Sequence, residues 1–415
     1  MKSMSIEIKT LTPIWTGGVN GECDILHETG IIGSMRWWYE AIVRGLGGYA
    51  CDPTKESCKF DTKSYEKALR KGKGTENALE VGLKEVCPAC YLFGCTGLKR
   101  LFQLQIENSP TSPLHFRTPV KMNQNWLTKI FGGESERIDN LDVFYGNLKF
   151  RFVFRGNDTD IADFFISQLL MLFQFISKYG SLGAKPQHGF GQVEIFDAKS
   201  SIDDSLNGGL KGLYELINSD KFKSVQNVEI SYIPYDLQNF ICLNYDLPKN
   251  LLKMFTQRDS HIGNNSKSSE DKYLPCVFDI RYKGKNKGKI GMRRWLKKDK
   301  DWTESDDPKQ MGQIDQLLGP RSKWKLNGKD ETIDEKCRTA SRLCFGMPYK
   351  IDNEKYRLRI FGFAPPSLEV TDKKMTPDIL SAYCQEYMQH AFNSVKPTNV
   401  ISGKEIIERM EAKNK

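Results

Sequence analysis

Apolar and polar residues alternate at the start of the chain. Ile6 and Ile8 stand between polar neighbours, which predicts a strand ending before Pro13. The period then changes. Met35, Trp38, Ile42 and Leu46 recur at three- and four-residue steps, predicting a helix capped by Ser34 and stopped by Gly47-Gly48. Residues 101–106 and 148–154 read as strands. Residues 161–179 read as a long helix, ended by Gly180, with Phe164, Phe165, Leu169, Leu172, Phe173 and Ile176 facing inward. Residues 193–196 supply a last strand. The order is β-α-β-β-α-β, a ferredoxin-like arrangement.

A weak internal repeat extends this pattern. Gly33-Ser34-Met35-Arg36-Trp37-Trp38 matches Gly291-Met292-Arg293-Arg294-Trp295-Leu296, with glycine, Arg36/Arg294 and Trp37/Trp295 at an offset of 258 residues. Tyr91-Leu92-Phe93-Gly94-Cys95 matches Leu343-Cys344-Phe345-Gly346-Met347 at an offset of 252. We therefore expect an α+β chain of two tandem ferredoxin-like domains, at 1–200 and 225–415, joined by the polar stretch 200–224. In the second copy, strands are expected at 228–233, 240–244, 277–282 and 356–363, with helices at 377–392 and from Ser402. Residues 257–272 and 298–336 read as polar insertions.

The 415 residues suffice for two to three domains, and 39% hydrophobic with 27% charged residues suits a water-soluble chain with more than one core. The most apolar helix, 161–176, carries Asp163, Gln168 and Gln174, short of the about 20 apolar residues of a membrane span. Met1-Lys2-Ser3-Met4-Ser5 passes directly into the first strand, so no signal peptide and a cytoplasmic location are expected. In that reducing environment the 11 cysteines are expected as thiols or metal ligands.

Lys and Arg exceed Asp and Glu by 61 to 52, a net charge of +9. Residues 281–298 hold nine basic side chains and no acidic one, enough to account for the whole excess. Such a stripe attracts a polyanion, above all nucleic acid. Lys283, Lys285, Lys287 and Lys289 alternate, so an extended segment would project all four from one face. Arg293, with Arg36 and Arg294 at matching positions, could pair with phosphate, and Lys99-Arg100 could extend that surface. Trp37 and Trp295 could stack on bases, but their helical neighbours favour core packing.

The loop after the long helix runs Gly180-Ser181-Leu182-Gly183-Ala184-Lys185-Pro186-Gln187-His188-Gly189-Phe190-Gly191-Gln192. Glycines let a backbone approach a ligand and expose its N–H groups, which makes Gly183, Lys185, His188, Gly189 and Gly191 candidates for RNA contact. The competing reading is a helix stop followed by a tight turn. The loop is not a dinucleotide fingerprint, because it enters a strand.

Cys51, Cys58, Cys87 and Cys90 flank a charged stretch, 59–86, that is poor in apolar side chains. A segment without a core of its own needs another fastener, and four thiolates around zinc provide one. A cysteine-rich zinc insertion is therefore expected over about 49–97, with Cys95 as a competitor for the fourth position. A redox Cys-x-x-Cys should open a helix after a strand; unconnected thiols are the plain alternative.

This loop, together with Thr16-Gly17-Gly18, Ile32-Gly33-Ser34-Met35-Arg36-Trp37-Trp38 and Cys87-Pro88-Ala89-Cys90-Tyr91-Leu92-Phe93-Gly94, resembles the CRISPR-associated RAMP superfamily. Within it the chain is most similar to the first subunit of the type III-B Cmr complex. The resemblance implies a non-catalytic subunit near the 3′ end of the CRISPR RNA, with CRISPR RNA, target RNA and other RAMP subunits as partners and no membrane. The alternative is a RAMP-type endoribonuclease. For it, His188 and the acidic residues Glu134, Glu136, Asp139 and Asp142 are the candidates, although no pair of them establishes acid–base geometry. His27, His115, His261 and His390 are scattered. An RNA-binding scaffold outside CRISPR defence is a third reading.

Overall fold

The first strand, β1 (Ser3–Thr10), buries Ile6, Ile8 and Thr10 and exposes Ser5, Glu7 and Lys9, as its alternation requires. The computed structural model describes residues 2–18, 23–54, 57–115, 140–156, 158–196, 202–222, 235–256, 273–274, 277–281, 290–320, 323–326, 329–332, 334, 337, 339–393 and 395–412. After β1 come α1 (Glu28–Gly45), α2 (Thr62–Arg70), α3 (Thr75–Gly82) and α4 (Pro88–Phe93). Next are β2 (Phe102–Asn108), the hairpin β3 (Thr111–His115) and β4 (Asn140–Phe144), β5 (Asn147–Phe154), α5 (Thr159–Tyr179) and β6 (Val193–Ile195). The antiparallel sheet has the order β2-β5-β1-β6, with Ile6 opposite Phe150 and Ile8 opposite both Leu148 and Ile195.

α6 (Ile202–Ile217) leads to the second half: β7 (Phe240–Pro248), α7 (Lys249–Thr256), α8 (Val277–Arg281), α9 (Met292–Asp299) and α10 (Gln313–Leu318). The hairpin β8 (Lys323–Leu326) and β9 (Lys329–Thr332) follows, then β10 (Leu343–Phe345), β11 (Tyr349–Lys350) and β12 (Lys355–Phe363). A short hairpin of β13 (Glu369–Val370) and β14 (Lys373–Lys374) precedes α11 (Pro377–Phe392), β15 (Asn399–Ser402) and α12 (Gly403–Ala412). The second sheet has the order β10-β12-β7-β15, with β11 beside β12. Counted by sequence within each half, both sheets run second, third, first, fourth.

The two halves share a seam. Along β7, Ile241, Leu243, Tyr245 and Leu247 face one core with α8, α9 and α11. Phe240 and Cys242 face the other, which belongs to the first half. Trp38 of α1 fills that seam, its ring 5.8 Å from Phe240, 5.5 Å from Phe175 and 6.0 Å from both Phe361 and Phe363. Its Nε1 donates to Ser181 O at 2.8 Å. The buried Arg359 donates to the carbonyls of Ser177 and Gly180 at the end of α5, at 3.1 and 3.2 Å, where helix carbonyls lack partners. α12 returns to the first core through Ile406 and Met410.

The expected strands at the start, 101–106, 148–154, 193–196, 240–244 and 356–363 and the helices at 161–179 and 377–392 are present, and α12 starts one residue after Ser402. Residues 228–233 and 257–272 lie outside the described residues. Four readings need correction. Ser34 lies inside α1, because burial of Ile31 and Ile32 carries the apolar stripe back to Glu28, and His27 occupies the cap position. Residues 277–281 are helical: Val277, Phe278, Ile280 and Arg281 are all buried, a helical spacing that a half-buried strand cannot produce. The stretch 200–224 contains α6, whose Leu206, Leu210, Leu213 and Ile217 form a buried stripe. Within 298–336, α10 buries Ile314, Leu317 and Leu318.

α5 is long and apolar enough to cross a membrane by length and composition. Its apolar side chains Phe165, Leu169, Leu172, Phe173 and Ile176 are instead buried between sheet and helices.

Trp38→Ala should lower unfolding stability by about 3–5 kcal/mol, the usual cost of deleting a buried aromatic. The midpoint of urea denaturation followed by far-UV dichroism reads this directly.

Candidate metal centre and nucleic-acid surface

Four thiols converge beside α1. Cys87 is the N-cap of α4, where Pro88 fits the first turn and the Cys90 N–H donates to Cys87 Sγ at 3.4 Å. Cys90 lies one turn further along that helix. Cys51 comes from the loop after α1 and Cys58 from the segment before α2. Arg44 of α1 holds the Cys51 loop by donating to Ala50 O at 2.9 Å and Cys51 O at 2.8 Å. All four sulfurs are buried and lie within 4.8 Å of one another.

Cys51 Sγ is 3.3 Å from Cys90 Sγ and 3.9 Å from Cys87 Sγ, too far for a disulfide. A tetrahedral ion with about 2.3 Å bonds to sulfur would set the ligands about 3.8 Å apart. The cluster fits such an ion. The two pairs behave as one site, so unconnected thiols are excluded by geometry. Cys95 is half exposed and its thiol meets Thr96 O, outside the four-sulfur group. The insertion also needs a fastener, since α2 buries only Ala68 and α3 only Ala78 and Gly82.

Arg36 completes the centre. Its Nη2 donates to Cys90 Sγ at 3.0 Å and to Cys51 Sγ at 3.6 Å, its Nη1 to Gly94 O at 2.8 Å, and its Nε to Glu40 at 2.7 Å. Four thiolates around a divalent ion carry a net charge of −2, and a guanidinium against two sulfurs offsets part of it. Glu40, buried and with its carboxyl pushed up to about 7 by burial, lies between Arg36 and Arg44. Sequence reading missed Glu40 and Arg44, although their i,i+4 spacing with Arg36 was the available signal. Burial pushes the Cys87 thiol well above its ordinary value, so without a metal it stays protonated.

The residues expected at RNA fall in separate places. Arg36 is committed to the sulfur centre, which corrects its assignment to phosphate. Arg293 is likewise spent internally, on Glu304 at 2.7 Å, Asp315 at 2.6 Å and Gly319 O at 2.9 Å. Arg294 and Lys99 are exposed, while Arg100 is half-buried and donates to Phe102 O at 3.0 Å. Trp295 is buried against Tyr387, and Trp37, half-buried, packs on Tyr235 and Phe363 at 4.9 and 5.5 Å, so both tryptophans join cores as the core reading expects. Lys283, Lys285, Lys287 and Lys289 lie outside the described residues, as do Glu134, Glu136, Asp139 and His261.

The glycine-rich loop faces inward. The Met347 N–H donates to Gly189 O at 3.1 Å and Gln192 Nε2 to Met347 O at 2.9 Å, tying the loop to the second half. Gly189 has φ +92° with Met347 where a Cβ would sit, and Gly191 has φ +85° with Leu182 O only 2.1 Å from a Cβ position. These glycines serve close backbone packing, so Gly189, Gly191 and the buried His188 do not form an open cradle. His188 stacks on Phe278 with centroids 5.5 Å apart, and burial beside Arg281 and Lys185 holds its pKa well below the usual value. Gly183 and Lys185 are only half-buried. The Lys185 ammonium lies 3.9 Å above the Trp15 ring, its pKa brought down to about 8 by burial.

Residues 7–194, the segment that holds both the sulfur centre and this loop, match the model of the RAMP superfamily. This segment is similar to the RAMP superfamily. The chain is also similar to solved structures. Cmr1 from Pyrococcus furiosus in its apo form is 16% identical, covering 97% of this chain and 99% of that one at a TM-score of 0.40. A chain of the type III-B Cmr-beta complex bound to cognate target RNA is 12% identical, covering 94% and 99% at a TM-score of 0.37. Comparison with curated proteins finds no match. In this segment the four cysteines belong to the insertion between α1 and β2, and the loop closes against the second half.

Purified chain should carry one metal ion, and Cys87→Ser/Cys90→Ser should carry none, as read by elemental mass spectrometry. Because bound thiols must lose their protons, metal content should fall as pH is lowered. Arg36→Met should weaken metal affinity by about 10–100-fold, the usual effect of losing a ligand's supporting partner. Competition with a chromophoric chelator measures that loss.

Proposed function

We propose that the chain is a non-catalytic RNA-contacting subunit of a type III-B CRISPR effector, acting with other RAMP subunits in the cytoplasm. The observation that carries the reading is the RAMP match over residues 7–194. The shared strand order of the two sheets supports a pair of tandem ferredoxin-like domains, within about 1–200 and 225–415. The motifs around Arg36 and the Cys-x-x-Cys point to the head of the complex, near the 3′ end of the CRISPR RNA. CRISPR RNA and target RNA are its partners.

Zinc is the ion we assign to Cys51, Cys58, Cys87 and Cys90. Four sulfurs and no described oxygen or imidazole ligand favour a thiophilic, redox-inert metal that holds structure. Its role here is to fasten the insertion to α1.

A non-catalytic role fits the surroundings of His188. General acid–base work needs a group that reaches the substrate and exchanges protons near the working pH. His188 is buried under Phe278 and held neutral. Binding then rests on cations at the surface. Lys99, Lys185 and Arg294 are available among the described residues, and the lysines 283, 285, 287 and 289 are assigned to the same task.

The test is to incubate the purified chain with labelled CRISPR transcript. Binding without cleavage is expected. With about six phosphates neutralised, log affinity should fall against log salt with a slope near −4, at about 0.7 per phosphate for a single strand. Cleavage that disappears in His188→Ala, or affinity that ignores salt, would contradict the reading.

A further inference from the structure

We propose that the outer face of α2, on the metal-fastened insertion, is a docking surface for the phosphate backbone of single-stranded RNA. The proposal deepens the RNA-contacting reading above and rests on it. Residues 59–73 hold six basic and two acidic side chains, a local charge of +4. The helix sorts these charges. Ala68 is buried and Tyr65 packs on Phe60 with centroids 5.6 Å apart, which fixes the inner face. Lys63, Lys67 and Arg70 stand at i, i+4 and i+7 on the opposite face, with Lys71 beside them, and all four are exposed.

Local pairing does not neutralise this stripe. Asp61 is used as the helix cap, accepting from the Ser64 N–H at 3.0 Å. Among the described residues Glu66 alone offers an ion-pair partner, 3.7 Å from Arg70, with both side chains more than half exposed. Lys63, Lys67 and Lys71 have no ion-pair partner among the described residues. Like charges at i,i+4 destabilise a helix, and Lys63 in the first turn opposes the helix dipole. A helix selected for stability alone would alternate signs. This one concentrates one sign along about 6 Å steps, which suits a chain of phosphates.

The stripe is also held in place. The Phe60 N–H donates to Thr96 O at 2.9 Å, and Gly97 packs over Phe60 and Thr62. The turn that carries the exposed Lys99 therefore abuts the start of α2, extending the cationic surface. Cys58 anchors the same segment to the sulfur centre. A phosphate backbone is favoured over an acidic protein surface because the stripe is flanked by lysines, Lys59 and Lys73, with no large exposed apolar side chain but Leu69 among the described residues nearby.

The test uses full-length, metal-loaded protein and a fluorescein-labelled single-stranded RNA of mixed sequence, with affinity read by anisotropy across a KCl series. K63Q/K67Q/R70Q should flatten the slope of log affinity against log salt by about 2, three contacts at about 0.7 each. K355Q/K373Q/K404Q, which removes three exposed lysines elsewhere, should leave it unchanged. Dichroism and metal content establish that both variants are folded. An unchanged slope in the α2 variant, with RNA still bound by the parent chain, would overturn this proposal and leave the RNA reading standing. Equal flattening in both variants would overturn it as well. No RNA binding by the parent chain would overturn both, and α2-dependent binding of polyglutamate in its place would assign the stripe to an acidic protein.

Discussion

The second sheet cannot leave its Phe240, Phe361 and Phe363 side in water, and α1 covers that side with Trp37 and Trp38. This burial constrains the rest of the molecule. A buried aromatic side chain contributes about 1.5–3 kcal/mol on burial alone, and the seam gathers at least five of them. Polar contacts also cross it: Arg44 Nη1 donates to Tyr235 O at 3.0 Å, Gln238 Nε2 to Gly45 O at 3.0 Å, and Arg359 to the end of α5. The two halves have the same strand order but unequal surroundings. The first sheet keeps a polar outer face of Ser5, Glu7, Lys9, Gln103, Gln105 and Arg151, whereas the second sheet is covered on both sides.

α1 links this seam to the metal centre. Trp38 points to the second half, while Arg36, two residues earlier, reaches the sulfurs of Cys51 and Cys90. Glu40 and Arg44 continue the polar stripe to the Cys51 loop and on to Tyr235 O. A single helix thus orients both the insertion and the second half. The charged residues nearest the centre neutralise it and hold its loops, so they are not free for a nucleic acid. Among the described residues, exposed cations further out include those of α2, Lys99 and Arg294.

Much of the first half was legible in its sequence because local signals agreed with tertiary ones. β1 alternates, α5 has a wide apolar face, and the cysteine pairs marked the sulfur centre, although the short helix that Cys87 caps was read as a turn. The direction of individual charges was not legible. Arg36 and Arg294 share a motif, yet Arg36 turns to thiols from residues 15 and 54 positions away, whereas Arg294 faces water. The start of α1 depended on where Ile31 and Ile32 would be buried, which no local cap encoded. The second repeat match also divides: Leu92 and Phe93 end a helix, while Leu343 to Phe345 form a strand. The glycine-rich loop carried a ligand-like signature, but its φ values serve close packing against Met347 and Leu182. The basic stripe on α2 was visible as a helical period in Lys63, Lys67 and Arg70, and was masked by reading 59–86 only as a charged segment.

The central claim is that the two halves form one cooperative body joined at the Trp38 seam. Native-state hydrogen exchange of the intact chain, followed by mass spectrometry through a denaturant series, tests it most directly. Amides of β1 and α5 in the first half and of β7 and β12 in the second should converge on one shared opening free energy. If β7 and β12 open at a clearly lower free energy while β1 and α5 stay protected, the halves are independent units and the account is wrong.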